Sequence, residues 1–464
     1  MCRIVGVAGY DLPGESIKAS VSAMTDGLAH GGPDDGGIYT DDENAVCMGH
    51  RRLSILDLSA SGHQPMSDVS GDTWISYNGE VYNFREIREE LTSSGFKFRS
   101  ETDTEVIIYA YKKWGESAFK KLNGMFSFCL YDAKKSLLYL VRDHAGIKPL
   151  YYSLHNGAIV FASETKSFRT FDANWEDSPE WRIYMLLFGH IPEPYTTLRD
   201  VFMLPRGSFL KYNLKSGSYE VSGFEDYAFT NEIHDVALAV ESIRTVFGEA
   251  VKRHLISDAP IGVFLSGGID SSLVALIASR HEGAGLRTIS VVFNEEDYSE
   301  ETFQKSVLQN ISSTHKSCLI TEKDFMDSLD DIFRAMDQPT TDGVNSYFIS
   351  RCAHEEGLKA VLSGVGGDEL FGGYPSFRRV DMIWPLRRFS PVFRNAFKIF
   401  EHAPGDRTKK FSFLALSDPT AFYLFFRGLF PVGTVSRILG ISGHEVAGAI
   451  EKLYDGFPGS LAKK

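Results

Sequence analysis

The chain has 464 residues, room for two or three domains, and its 43% hydrophobic, 23% charged and 13% aromatic content is that of a globular protein. A net charge of −13, from 48 basic and 61 acidic residues, argues against nucleic acid or an anionic membrane as partner. No stretch approaches the ~20 apolar residues of a membrane span, and no signal-peptide pattern opens the chain.

In chain order, Met1 is followed by Cys2 and an apolar stretch, Ile4 to Ala8. Removal of Met1 ahead of a small residue would leave a cysteine whose own α-amine can act as base for its thiol. The five cysteines (Cys2, Cys47, Cys129, Cys318, Cys352) are scattered without zinc spacing. They are expected to be reduced thiols of a cytoplasmic protein. Arg52, in the polar-to-apolar run His50 to Leu56, reads either as a surface arginine or as a fork for a substrate carboxylate. Trp74 to Tyr77 is predicted as a strand ending in Asn78-Gly79-Glu80. That tripeptide reads either as a type I′ turn or as a strand-to-helix corner offering an amide and a backbone N–H to an oxyanion. Helices are predicted over 84–94, with Gly95 as stop, and over 103–114. Thr102 and Glu105 have capping-box spacing, so Asp103 is either a helix-dipole acid or a binder of an ammonium group.

Phe126–Asp132, Leu137–Val141 and Ile159–Ala162 read as strands, giving an α+β first domain with antiparallel sheet. A polar, turn-rich stretch from Lys215 sets the expected boundary, 1–215 against 216–464. From Val236, apolar residues recur at three and four (Val240, Ile243, Phe247, Val251, Leu255), predicting a long amphipathic helix. Strand–helix alternation then predicts a parallel sheet with helices on both faces. The strand Ile261–Leu265 runs into Ser266-Gly267-Gly268-Ile269-Asp270-Ser271-Ser272 and a helix. Glycines, hydroxyls and helix N–H groups there suit a phosphate, and Asp270 implies magnesium between carboxylate and phosphate. No lysine follows, so it is not a Walker loop. A second strand, Ala360–Leu362, leads into Ser363-Gly364-Val365-Gly366-Gly367-Asp368, where Asp368 is a candidate second magnesium carboxylate.

These motifs, in this order, resemble the glutamine-dependent asparagine synthetase family over most of the chain. Further matches are Arg142-Asp143 and Gly146 to Tyr152, and Asp368 to Tyr374. The resemblance implies a class II glutamine amidotransferase domain with an Ntn-hydrolase sandwich, antiparallel sheets between helices, followed by an α/β adenine-nucleotide-binding synthetase domain. It implies that glutamine is hydrolysed in the first domain and its ammonia passed inward. The second domain would use ATP and Mg2+ to adenylate a carboxylate, aspartate giving asparagine with AMP and pyrophosphate. By the same resemblance Cys2 is the nucleophile, and Asn78 and Gly79 form the oxyanion hole. Arg52, Leu53, Ser54, Ile55 and Leu56 line the glutamine site with Glu80 and Asp103. Leu265, Val291, Ser363 and Gly364 line the adenosine site, and Ser266, Gly267, Gly268, Asp270, Ser271 and Ser272 hold pyrophosphate and metal.

Three features depart from the family. Its His-Arg-Gly-Pro-Asp motif reads His30-Gly31-Gly32-Pro33-Asp34 here, one arginine short. Val365 stands where an acid is usual. Lys464 comes before the family's closing Glu-x-Arg-x-Pro-Phe-Leu-Asp element. The expectation is an incomplete synthetase domain that keeps glutaminase activity, leaves the aromatics around Phe422 to Phe430 uncovered, and self-associates or binds a complementing chain. Two alternatives stand beside asparagine synthesis: amidation of another carboxylate, and a glutaminase-only or nucleotide-binding remnant.

Overall fold

The strand Gly124–Asp132 sends Phe126, Phe128 and Leu130 to one face and Cys129 and Tyr131 to the other, and all five are buried. A period of two with both faces apolar places such a strand inside a layered sandwich. A computed structural model describes residues 2–9, 14–155, 157–224, 232–295, 299–383, 395–415 and 419–455. Its contacts divide the chain into two compact units. The first comprises 1–175, 200–331 and 345–364, the second 176–199, 332–344 and 365–464.

In the first unit two six-stranded antiparallel sheets lie face to face. One runs Phe202–Met203, Tyr151–His155, Ala158–Ala162, Arg3–Ala8, Val46–Arg52, Asp35–Asp41. The other runs Tyr219–Gly223, Ser208–Asn213, Leu137–Arg142, Gly124–Asp132, Thr73–Val81, Met66–Ser67. Ile4, Met48, Tyr131, Leu140 and Phe161 fill the space between them. Helix Gly14–Gly27 covers the outer face of the first sheet, and helices Phe84–Ser93 and Asp103–Trp114 that of the second. The antiparallel sandwich expected from the sequence is thus present. The predicted turn at Lys215 joins two strands of one sheet, so that sheet continues to Gly223 across the expected boundary.

The same unit holds a four-stranded parallel sheet ordered Thr314–Leu319, Arg287–Val292, Ile261–Phe264, Ala360–Leu362. Val251, Val274 and Ala278 pack on one face, and Cys352 and Ala353 on the other, so helices cover both faces as predicted. Two expectations change here. Cys318 and Cys352 form a disulfide, with Cα atoms 6.5 Å apart, where reduced thiols were predicted. The strand Thr314–Leu319 and helix Gly343–Glu355 bring the two residues together across 34 positions of sequence. The helix Val236–His254 forms, capped by Asp235, whose carboxylate accepts from the Leu238 N–H at 2.9 Å. Only its last turns pack, however: Val251 is buried while Val236 is 77% exposed.

The second unit is helical. Tyr184 and Leu187 of helix Trp181–Phe188 pack with Phe413, Leu424, Val435, Val446 and Ile450. The apolar run near the chain end is therefore partly a core: Phe422 and Leu424 are buried and Tyr423 and Leu429 exposed. Periodicity alone did not show which of them a second helix would cover. Among the described residues no helix is long and apolar enough to cross a membrane.

Candidate active site

Strand Arg3–Ala8 pairs with Val46–Arg52, Arg3 opposite Arg51, so Cys2 arrives beside the segment leaving Arg52. The Leu53 N–H donates to the Cys2 Sγ at 3.3 Å, and the Leu53 carbonyl lies 3.5 Å from it. Burial pushes the Cys2 thiol above its usual range, while the Leu53 contact and the Lys148 charge work the other way. Cys2, Arg52, Leu53, Ile55, Leu56, Gly79, Glu80 and Asp103 line one small cleft, together with Gln64, Tyr77 and Thr104. The sequence had distributed eight of these over a hundred positions and had not singled out the last three.

Asn78-Gly79-Glu80 is neither a turn nor a corner. The strand runs through it to Val81, with Asn78 opposite Ser127, Gly79 opposite Phe126 and Glu80 opposite Met125. A Cβ on Gly79 would stand 2.3 Å from the Met125 carbonyl oxygen, so this register requires glycine. Asn78 is 1% exposed, yet neither its Oδ1 nor its Nδ2 has a partner. Buried amides are almost always bonded, so an orphaned one next to Gly79 is open to a ligand, although Asn78 itself is not among the residues lining the cleft.

Asp103 begins its helix, where Thr102 caps by accepting from the Glu105 N–H at 3.3 Å. The capping box is only half made. The Glu105 carboxylate turns instead to the Arg99 and Ser100 N–H groups, at 2.8–3.0 Å. Asp103 Oδ2 accepts from the Tyr77 hydroxyl at 2.6 Å and the Val81 N–H at 2.8 Å. Burial and the neighbouring Asp103 raise the Glu80 carboxyl well above its usual range, and burial raises Asp103. Two crowded, poorly solvated carboxylates suit an incoming ammonium ion. Arg52 donates to the carbonyls of Ser59 (2.9 Å), Leu56 (3.2 Å) and Asp57 (2.5 Å). It is a buried loop clamp rather than a surface residue, with N–H donors left for a carboxylate. Lys148 belongs to the run Gly146 to Tyr152. It is 3% exposed, and burial pushes its ammonium down to about 8 against the pull of Glu80 and Cys2.

At the parallel sheet, Ser266 to Ser272 follow strand Ile261–Phe264, and Ser363-Gly364 follow its neighbour Ala360–Leu362. Gly267 has φ +92° and Gly268 caps the helix Ile269–Glu282. The Ser266 and Ser271 hydroxyls lie 2.9 Å apart, and the Gly268 N–H donates to the Ser266 hydroxyl at 3.2 Å. The Ser272 hydroxyl donates to the Gly268 carbonyl at 2.7 Å. A Cβ on Gly364 would stand 2.7 Å from the Ser271 nitrogen, so the two strand-end loops meet at a glycine. Gln304, which carries no sequence signal of its own, donates to the Ser266 and Val291 carbonyls at 3.4 Å and leaves a buried Oε1 unpartnered. Leu265 is buried behind the loop. Asp368 lies in the first turn of the short helix Gly367–Phe371 of the second unit.

Residues 1–224 match the glutamine amidotransferase domain family, and residues 242–418 match the asparagine synthase family. A Methanocaldococcus jannaschii protein, named as a putative glutamine-hydrolysing asparagine synthetase, is 33% identical over 91% of this chain and 86% of its own length. The chain belongs to the glutamine-hydrolysing asparagine synthetase family. Two Bacillus subtilis proteins of that name, 1 and 3, are 34% and 33% identical over 84% and 82% of this chain. The chain spans 61% and 64% of their lengths.

Proposed function

We propose that this family member hydrolyses glutamine at Cys2 and uses the ammonia, with ATP, to amidate a carboxylate, aspartate giving asparagine. The observation that carries the reading is the cleft in which Cys2 meets Arg52, Gly79 and the two crowded carboxylates Glu80 and Asp103. With Met1 removed, the Cys2 amine takes the thiol proton and the sulfur attacks the glutamine amide carbon. The Asn78 Nδ2–H and the Gly79 N–H face the developing oxyanion. The amine returns its proton to the departing ammonia, and water hydrolyses the thioester to glutamate. Arg52 takes the substrate carboxylate, and Asp103 and Glu80 its ammonium group, with Leu53 to Leu56 closing over it. Residues 1–215 carry this chemistry and residues 216–464 the synthetase chemistry.

ATP is assigned to Leu265–Ser272, Val291 and Ser363-Gly364. The oxygen donors of Ser266, Ser271, Ser272 and Asp270 suit a hard cation. Magnesium bound there would neutralise phosphate charge. The hydroxyls and helix N–H groups orient the phosphates, and Gly267 and Gly364 let the backbone approach them. The test measures glutamate from glutamine, and pyrophosphate and asparagine with ATP and aspartate, against other carboxylates. Cys2→Ala should lose every glutamine-dependent product and keep ammonia-dependent synthesis. Glutamate formation by Cys2→Ala, or asparagine from neither nitrogen source in the unchanged chain, overturns the corresponding half.

A further inference from the structure

The turn that carries the shortened motif packs against the residue next to the nucleophile. Gly31 closes the 3-10 turn Ala29–Gly31 and is buried. A Cβ placed on it would lie 2.7 Å from Arg3 Cγ, 2.8 Å from its Cζ and 2.9 Å from its Nε. Contacts under 3 Å along the stem and head of one side chain mean that a residue 31 side chain and Arg3, as placed, claim the same volume. With glycine at position 31, that volume is filled by the guanidinium and stem of Arg3.

That guanidinium is held on both sides. Arg3 Nε donates to Glu164 Oε1 at 2.6 Å, and its Nη1 donates to the Cys2 carbonyl at 3.1 Å. His30 Nε2 shares Glu164 Oε1 at 2.9 Å, and Lys166 Nζ lies 2.9 Å from Oε2. The side chains of Arg3 and Glu164 are 16% and 7% exposed. Glu164 is itself anchored, because its neighbour Ser163 exchanges hydrogen bonds with Ile4, N–H to carbonyl at 2.8 Å and N–H to hydroxyl at 3.0 Å. Burial opposes ionisation of Glu164, yet the bonds from His30 and Arg3 hold its carboxyl well below the usual range. A charged, fixed anchor thus fastens the Cys2 carbonyl while Leu53 brackets the sulfur.

We propose that Arg3 is a positioning residue for Cys2, acting from a volume that a side chain at position 31 would otherwise claim. The inference rests on the reading of Cys2 as glutaminase nucleophile. Because the two side chains claim one volume, it predicts that the guanidinium can be supplied from position 31 instead. The full chain, Arg3→Ala, Arg3→Gln, Gly31→Arg and the exchange Arg3→Gly/Gly31→Arg are each made behind a leader whose cleavage leaves Cys2 first, checked by intact mass. Glutaminase kcat and KM and thermal unfolding are measured for all five. Arg3→Ala and Gly31→Arg should each lose at least about tenfold in kcat with KM nearly unchanged, because a misplaced nucleophile slows reaction more than binding. The exchange should recover to within about threefold of the unchanged chain, a coupling that two independent packing defects would not produce. Arg3→Gln keeps the volume without the charge and should behave as Arg3→Ala does, which covers failure of the alanine variant to fold. Unaffected kcat in Arg3→Ala or Arg3→Gln, or an exchange no better than the single variants, overturns the proposal. Absence of glutaminase activity in the unchanged chain overturns both readings; activity there with insensitive Arg3 variants overturns only this one.

Discussion

Asn78 bears a cost at the scale of one residue. A buried amide with neither end bonded loses roughly 1–3 kcal/mol relative to a paired one. Asn78→Ala should therefore lower glutaminase kcat by about 10²–10³ with a smaller effect on KM. Thermal unfolding of that variant should be no lower than that of the unchanged chain, and a large drop would mean Asn78 is structural. His50 makes the opposite case, since its polarity serves the fold. It is fully buried, with Nε2 2.9 Å from the Tyr77 carbonyl and Nδ1 unpartnered, and burial lowers it from 6.5 to about 4. Between those values the unfolded chain binds the extra proton, so stability falls as pH drops from about 6.5 to 4. His50→Gln should remove about 2 kcal/mol of that pH dependence, read from denaturant melts at pH 7 and pH 4.5.

Elements end where their partners end, and this decides which sequence signals succeed. The helix Asp103–Trp114 starts at its predicted residue because a cap is local: Thr102 accepts from an N–H three residues on. Thr102→Ala should cost about 1 kcal/mol of stability. It should also raise the KM for glutamine more than it lowers kcat, since the first turn holds Asp103; an unchanged KM would separate the cap from the site. The strand Thr73–Val81 ends late because its continuation is remote. Asn-Gly reads as a break in one segment, but nine pairs with Gly124–Asp132 carry the ladder through it. The amphipathic helix Val236–His254 has the right period and covers only its last turns, because a stripe states that a face is apolar, not what meets it.

Across the whole molecule two chemistries are assigned to one chain, and within the first unit their elements are tied together. The Asp57 N–H donates to Asp258 Oδ2 at 2.8 Å and the Asp258 N–H to the Ile55 carbonyl at 3.0 Å. Asp258 precedes the strand Ile261–Phe264, whose other end opens into Ser266, so the loop clamped by Arg52 and the candidate phosphate loop flank one strand. Each site still has its own reacting groups. Asp270→Asn should abolish ATP-dependent pyrophosphate release and leave glutamate formation intact, measured on the same preparation. Loss of both activities would mean that the carboxylate supports the fold rather than the metal.

The sequence by itself determined the family and the local parts. A cysteine at position 2, a glycine-rich loop between strand and helix, and a threonine cap ahead of Asp103 are local signals, legible because the interactions they encode span a few residues. It also determined the two sheet types, since periods of two and of three to four follow from backbone geometry. Tertiary structure decided whatever depends on residues far apart. It joined Cys2 to Leu53 and set both in one cleft with Gly79, Glu80 and Asp103, put Arg52 on the carbonyls of its own loop, and left the Asn78 amide unpartnered. It paired Cys318 with Cys352 and filled the space above Gly31 with Arg3. Each of these is a meeting in space between groups that local propensity does not connect, because only the packing of remote elements fixes which side chain occupies a given volume.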